Sequence, residues 1–230
     1  MSVAAAKQSG GARTLRLVEF NLHIARLAHR SWYEQMLPER FSQNARPGSG
    51  GGIGARAEPK VSAWLLRQHD LHETFDWDMS EPAKRPWLLD PSALNHLCGL
   101  LSLAMHRQWL LRIIKGSQLR ALREAAGPED FRLVIDELAS LSFHHLSPTV
   151  DLDLEPAALR SSLRDDGART LFRLLDTTWR AVRGRAVLRF ERGTIRGGEP
   201  AFATDCRDAA LELICGRLIP RRLPEWVWLF

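Results

Sequence analysis

Lysine is scarce in this chain. Only Lys7, Lys60, Lys84 and Lys115 occur among 32 basic residues, so the formal net charge of +5 rests on arginine. A GC-rich coding sequence produces the same bias. Arginine's planar fork also pairs well with carboxylates and phosphates, which suits protein interfaces as well as nucleic acid. Cysteine is sparse too. Cys98, Cys206 and Cys215 are an odd number with no CxxC pair, which points to reduced, buried thiols in a cytosolic protein. The opening residues, MSVAAAKQSGGARTLR, lack the apolar run of about 7–15 residues that a signal peptide needs. The uncharged run from Pro91 to His106 is shorter than the roughly 20 residues of a membrane span and contains Asn95, His96 and Ser102. The glycines at 48–54 and 193–198 lack the GxxxxGK[ST] lysine, and no GxGxxG opens a helix after a strand. No internal repeat is visible. These shortages argue against a secreted, membrane-spanning or nucleotide-binding protein and for a soluble cytoplasmic one.

What is present is an apolar core. With 230 residues and 45% hydrophobic content, the chain can bury one sizeable interior. Its densest stretch is Trp87 to Lys115, WLLDPSALNHLCGLLSLAMHRQWLLRIIK. Asp90 followed by Pro91 reads as an N-cap and a first helical proline. An apolar helix of about seven turns is predicted, with Lys115-Gly116 as its stop. Leu94, Leu97, Cys98, Leu101 and Met105 fall on one face, and Leu100, Leu103, Leu110, Ile113 and Ile114 cover most of the rest. Such a helix belongs in the middle of a fold. Ser92, Asn95, Gly99, Ser102 and His106 form a narrow stripe where a neighbouring helix can approach closely.

Around this helix the pattern predicts a mainly α protein. Residues 1–12 read as a disordered N-terminus, and 13–230 as a single helical adaptor domain with a bundle-like core. A first helix is expected over Thr14–Tyr33, followed by a flexible Gly-rich loop at 46–59. Val61–His72 is a short helix. Glu73–Pro86 reads as an irregular connection that packs Phe75 and Trp77. Further helices are expected over 117–126, 131–141 and 157–182, the last either continuous or broken near Gly167, with Gly127-Pro128-Glu129-Asp130 as a restart signal and a connector at 147–156. Near residues 184–203 the period changes. Ala186, Leu188 and Phe190 alternate with Val187, Arg189 and Glu191, which predicts a small β-hairpin turning around Gly197-Gly198. Asp205–Leu218 reads as the last helix.

Little of this pattern suggests chemistry. His69 and His72 have one acceptable metal-ligand spacing, with Asp76 or Asp78 as a third donor, but nothing completes a zinc motif. His144 and His145 diverge on a helix and read as a C-terminal dipole feature. A thiol dyad of Cys206 or Cys215 with a histidine has no local signature behind it. No catalytic, cofactor-binding or metal residue is assigned, and no enzyme activity is expected. Arg180, Arg183, Arg185, Arg189, Arg192 and Arg196 form a basic run that suits either a partner-facing surface or an Arg-rich nucleic-acid-binding regulator. The terminus LPEWVWLF alternates Trp226, Trp228 and Phe230. It either folds back on the domain or anchors a partner, where tryptophan is a favoured hot-spot residue. The candidate partner-binding residues are therefore Trp226, Trp228, Phe230, Arg183, Arg185 and Arg189.

Three blocks taken in order carry a family resemblance: LLDPSALNHLCGLLSLAMHRQWLLRII, LREAAGPEDFRLVI and RDDGARTLFRLLDTTWRAVRGRAVLRFERG, with a closing helix near CRDAALELICGRLIP. Over about residues 60–230 the chain resembles the K component of the type III secretion sorting platform, the YscK/SctK-like family. Its Trp-rich tail is most similar to the plant-pathogen Hrp branch. The resemblance implies a non-enzymatic cytosolic adaptor in virulence-related protein transport. Its implied partners are the cytoplasmic domain of the inner-membrane ring (the D component) and the pod protein (the Q component), with the L stator and the ATPase beneath. The implied place is peripheral, at the cytoplasmic face of the inner membrane through protein contacts. No cofactor is implied.

Overall fold

Helical periodicity governs every regular element that forms. The computed structural model describes residues 3–34, 56–113, 115–138, 151, 153–196 and 201–230, and among these the chain is mainly helical with no strand. In order the α-helices are α1 (Val3–Leu22), α2 (Glu58–Gln68), α3 (Pro91–Met105), α4 (Arg107–Leu110), α5 (Gly116–Ala126), α6 (Pro128–Arg132), α7 (Pro156–Arg173), α8 (Arg180–Leu188), α9 (Thr204–Leu213) and α10 (Ile219–Arg222). Short 3₁₀ segments cover Ile24–Arg26, Arg30–Trp32, Pro82–Leu88 and Pro224–Leu229, and single π-turns cover Leu133–Glu137 and Ile214–Leu218. α1 takes in most of the segment read as a disordered N-terminus and ends at Leu22, short of the expected Tyr33. Residues 46–55 of the Gly-rich loop expected at 46–59 lie outside the described residues, as do His144 and His145, and Glu58 and Pro59 already belong to α2.

The chain divides into two compact units. The first is drawn from 1–91 and 175–198 with Leu229, and the second from 92–174 and 199–228 with Phe230. In the first unit, Phe20, Ile24, Leu65, Trp87, Leu88, Leu89, Ala186 and Leu188 are buried. In the second, Leu97, Leu101, Leu122, Val134, Leu171, Phe172 and Leu213 are buried.

The long helix expected from Pro91 to Lys115 is shorter than its apolar pattern. α3 spans 15 residues and is buried on nearly every side. The helix breaks at His106, whose backbone leaves α geometry at φ −96°, ψ 8°. Its ring bonds the buried Asp166 carboxylate at 2.9 Å. Gly116 opens α5 instead of closing the long helix. The restart signal does act as expected: Gly127 takes φ +89°, a left-handed value that glycine reaches without strain, and Pro128 begins α6. α7 runs unbroken through Gly167 because that glycine is where two helices touch. A Cβ there would sit 1.8 Å from the Cys98 carbonyl oxygen of α3. Close approach therefore falls on Cys98, beside the predicted stripe. Gly99, within the stripe, has nothing within 4 Å of an added Cβ.

The β-hairpin near 184–203 does not form among the described residues: α8 takes 184–188, and the turn expected at Gly197-Gly198 lies outside them. The alternation misled because arginine was counted as an outward residue. Val182, Arg185, Ala186 and Arg189 are all buried, and their i, i+3, i+4, i+7 spacing is one helix face. The connection at 73–86 differs as well. Phe75 and Trp77, expected to be packed, are 43% and 51% exposed and stack on each other.

Candidate functional site

Backbone carbonyls at helix ends need donors, and buried arginine supplies them in the first unit. Arg185 is fully buried in α8 and donates to the carbonyls of Asn21, Leu71 and Ala181 at 3.2, 3.1 and 3.1 Å. The first two carbonyls lie at the end of α1 and just past α2. Arg189 donates to Trp87 and Leu89, just where the 3₁₀ segment Pro82–Leu88 stops. Arg183 donates to Leu175 at 2.9 Å. Burial pushes the Arg185 guanidinium down to about 10, partly offset by Asp76, so it stays charged at neutral pH.

These three arginines were read as a partner-facing surface. Their forks point inward and are spent on main-chain carbonyls, so they are structural braces. Arg180, Arg192 and Arg196 of the same run remain exposed. Arg192 lies over the Trp32 ring at 4.9 Å.

The tail also departs from its alternation. Pro224–Leu229 is a 3₁₀ segment, and three residues per turn put Leu223, Trp226 and Leu229 on one buried stripe. Trp226 is thus a core residue that stacks on Trp228 with ring centroids 6.0 Å apart. Trp228 and Phe230 are half-buried, and Val227 is exposed.

The second unit carries two carboxylate-centred networks that sequence reasoning missed. Asp166 of α7 receives the Ser102 hydroxyl at 2.8 Å and the His106 ring at 2.9 Å, both on the same oxygen. Arg169 stands 3.7 Å from the other oxygen. Serine, histidine and aspartate are the residues of a hydrolytic triad, but the wiring differs. The serine proton goes to aspartate, whereas an activated nucleophile needs it on histidine. The arrangement is a core hydrogen-bond network joining α3 to α7. Its sequence signal was available: Ser102 and His106 are four apart on an otherwise apolar helix, and so share a partner.

The other network joins α3, α6 and α10. His96 meets Asp130 at 2.7 Å, and Arg222 bonds Asp130 at 2.5 Å and Glu129 at 2.9 Å. Beside His96 and Asp130 lies a cavity of about 350 Å³, lined by Asn95, Gly99, Leu100, Leu103, Ala125 and Leu163 among others. Leu100 and Leu103 give it an apolar wall; Asn95, the His96–Asp130 pair, Arg160, Ser161 and Arg164 are its polar groups.

Among the described residues, no group of three His, Cys, Asp or Glu side chains could hold a metal ion. Cys98 is buried, as its place on α3 predicts, while Cys206 and Cys215 are half-buried. Among the same residues, no helix is long and apolar enough to cross a membrane.

The family described as YOP proteins translocation protein K (YscK) matches residues 19–153, more than half of the chain. The match starts within α1 and includes α3 with its Ser102, and His106 just beyond it; it ends before α7, the buried arginines and the tail. No curated protein and no solved structure matches. With its all-helical framework and the family's pattern running through both of its compact units, this chain belongs to the YscK family of type III secretion proteins.

Proposed function

We propose that this protein is a non-enzymatic adaptor of the secretion sorting platform. It links the cytoplasmic domain of the inner-membrane ring to the pod protein and, through them, to the stator and the ATPase at the cytoplasmic face of the membrane. The observation that carries this reading is the family match over residues 19–153. The packing is in keeping with it, because the buried charged groups at Arg185, Arg189 and Asp166 all bond within the chain. Trp228 and Phe230, half-buried beside exposed Val227, are the tail residues that this reading places against a partner. The nucleic-acid reading loses its main support, since three of the six arginines in its basic run are buried.

The test uses the full chain with the purified ring domain and pod protein of the same organism. A complex with at least one of them is expected by size-exclusion chromatography and calorimetry. Failure to bind either overturns the adaptor reading. Joint replacement W228A/F230A is expected to weaken that complex about tenfold while leaving the melting temperature nearly unchanged. A large fall in melting temperature with unchanged affinity would instead assign the whole tail to the core.

A further inference from the structure

The acidic connection at 70–81 is the most unusual surface of the first unit. It carries five carboxylates (Asp70, Glu73, Asp76, Asp78, Glu81) and no lysine or arginine, in a chain whose net charge is +5. Two large aromatic residues stand on it in solvent. Phe75 and Trp77 stack with centroids 6.2 Å apart and planes 25° from parallel.

This display is built from beneath. Fully buried Asn21 clamps the backbone of Asp76 from both sides, donating to its carbonyl at 2.8 Å and accepting its N–H at 3.1 Å. Buried Lys84 bonds the Asp76 carboxylate at 2.8 Å and the Asp78 carbonyl at 3.0 Å. Arg13 and Arg85 both donate to the Met79 carbonyl. The Ser80 backbone N–H bonds the Asp78 carboxylate and holds it below the usual carboxylate range. A chain braced at Asp76, Asp78, Met79 and Ser80 presents its aromatics with little ordering left to lose on binding, and such preorganised aromatic anchors are what hot spots use.

We infer that Phe75 and Trp77, rimmed by exposed Asp70, Glu73 and Asp78, are a docking site for a basic, apolar-faced segment of a protein partner. Its apolar or guanidinium groups would cover the aromatic faces, and its cations would meet the carboxylates. Beside Phe75 a cleft of about 370 Å³, walled by Leu22, Pro59, Ala63 and Leu66, offers room for an apolar side chain. His23, Arg67 and His72 also line that cleft, so the attraction for cations comes from the rim carboxylates and the cleft takes only the apolar side chain. The charge disfavours an anionic membrane or a nucleic acid, because both would face like charge.

The probe is a synthetic helical peptide of about 16 residues with leucines on one face and arginines on the other; its counterpart carries glutamates in place of the arginines. Binding to the full chain is read by fluorescence polarisation of a labelled peptide. The arginine peptide is expected to bind, and at least about tenfold more tightly than the glutamate peptide. Both F75A/W77A and E73K/D78N should weaken it by about tenfold or more with little change in melting temperature, because the four side chains are exposed and the amide in D78N keeps the acceptor for the Ser80 N–H. W228A/F230A should leave peptide binding as it is. Absence of arginine-peptide binding, equal binding of the two peptides, or affinity that survives both double variants would overturn the inference. So would a dimer in sedimentation that F75A/W77A dissolves, which would make a second copy the occupant. Retention on vesicles of about one-third anionic lipid, lost in the same variant, would assign the aromatics to a membrane and also overturn it.

Discussion

The two compact units finish their backbone hydrogen bonding in different ways. The first is rich in interruptions. Three 3₁₀ segments and an irregular acidic connection leave carbonyls that no helix ladder can satisfy. It answers with cations buried in the interior, Arg185 and Arg189, each reaching carbonyls more than 90 residues away in sequence. The second unit contains α3 and α7, which satisfy most of their own carbonyls and meet at Gly167. Its buried polar groups bond side chain to side chain, as at Ser102, His106 and Asp166. Where its ladder fails, arginine returns from half-exposed or exposed positions: Arg107 caps the π-turn Leu133–Glu137, and Arg160 caps the end of α5. A buried arginine therefore marks irregular backbone, and a buried aspartate marks a seam between regular helices.

Breaking a brace in the first unit should have the largest effect. Arg185→Ala removes three hydrogen bonds to carbonyls and opens a cavity, for an expected loss of about 4 kcal/mol by chemical denaturation. Hydrogen exchange should rise first at the end of α1 and just past α2, where the carbonyls of Asn21 and Leu71 lose the guanidinium. Arg185→Lys should recover only part of that stability, because an ammonium lacks the fork that reaches several carbonyls. If Arg185→Met proved as stable as wild type, carbonyl satisfaction would not be what the guanidinium supplies.

The second unit is probed at its seam. Gly167→Ala forces a methyl onto the Cys98 carbonyl and should cost about 3 kcal/mol, with protection lost in α3 and α7. Gly99→Ala is the matched control on α3, the other helix of the seam, where the space is open. It should be neutral or stabilising by up to about 1 kcal/mol, because alanine favours the helix. Equal losses at the two glycines would place the helix contact elsewhere.

The smallest effect belongs to His69. Burial, then the nearby Arg192 charge, lowers its pKa from 6.5. The unfolded chain then binds more protons than the folded one just below about pH 6.5, so stability falls as pH drops through that window and levels off below the folded value. His69→Gln should flatten this part of the pH profile of the melting temperature. An unchanged slope would assign the acid sensitivity to other histidines.

Much of the helical framework was legible in the sequence. The apolar pattern located α3, α5, α7 and α9, and Gly127-Pro128 marked a real boundary. Element ends were less legible. The apolar run past Met105 continues with Trp109, Leu110 and Leu111, but the helix breaks where His106 turns to reach Asp166, 60 residues away. No local rule contains that partner. The candidate site was less legible still. Arg183, Arg185 and Arg189 read as surface because charge normally stays in water. Their burial depends on carbonyls supplied by distant segments.

By itself, then, the sequence determined the helical class, the buried character of α3, the restart at Gly127 and the family. All of these rest on local periodicity or on backbone conformations open to few residues. Tertiary structure decided which charges are interior, why Gly167 must be glycine, that Trp226 belongs to the core, and that Phe75 and Trp77 stand in solvent. Each of these turns on what an atom meets across the fold. The hydrogen bond that makes a buried guanidinium affordable, or the clash that forbids a methyl, exists only once two distant stretches of chain are brought together.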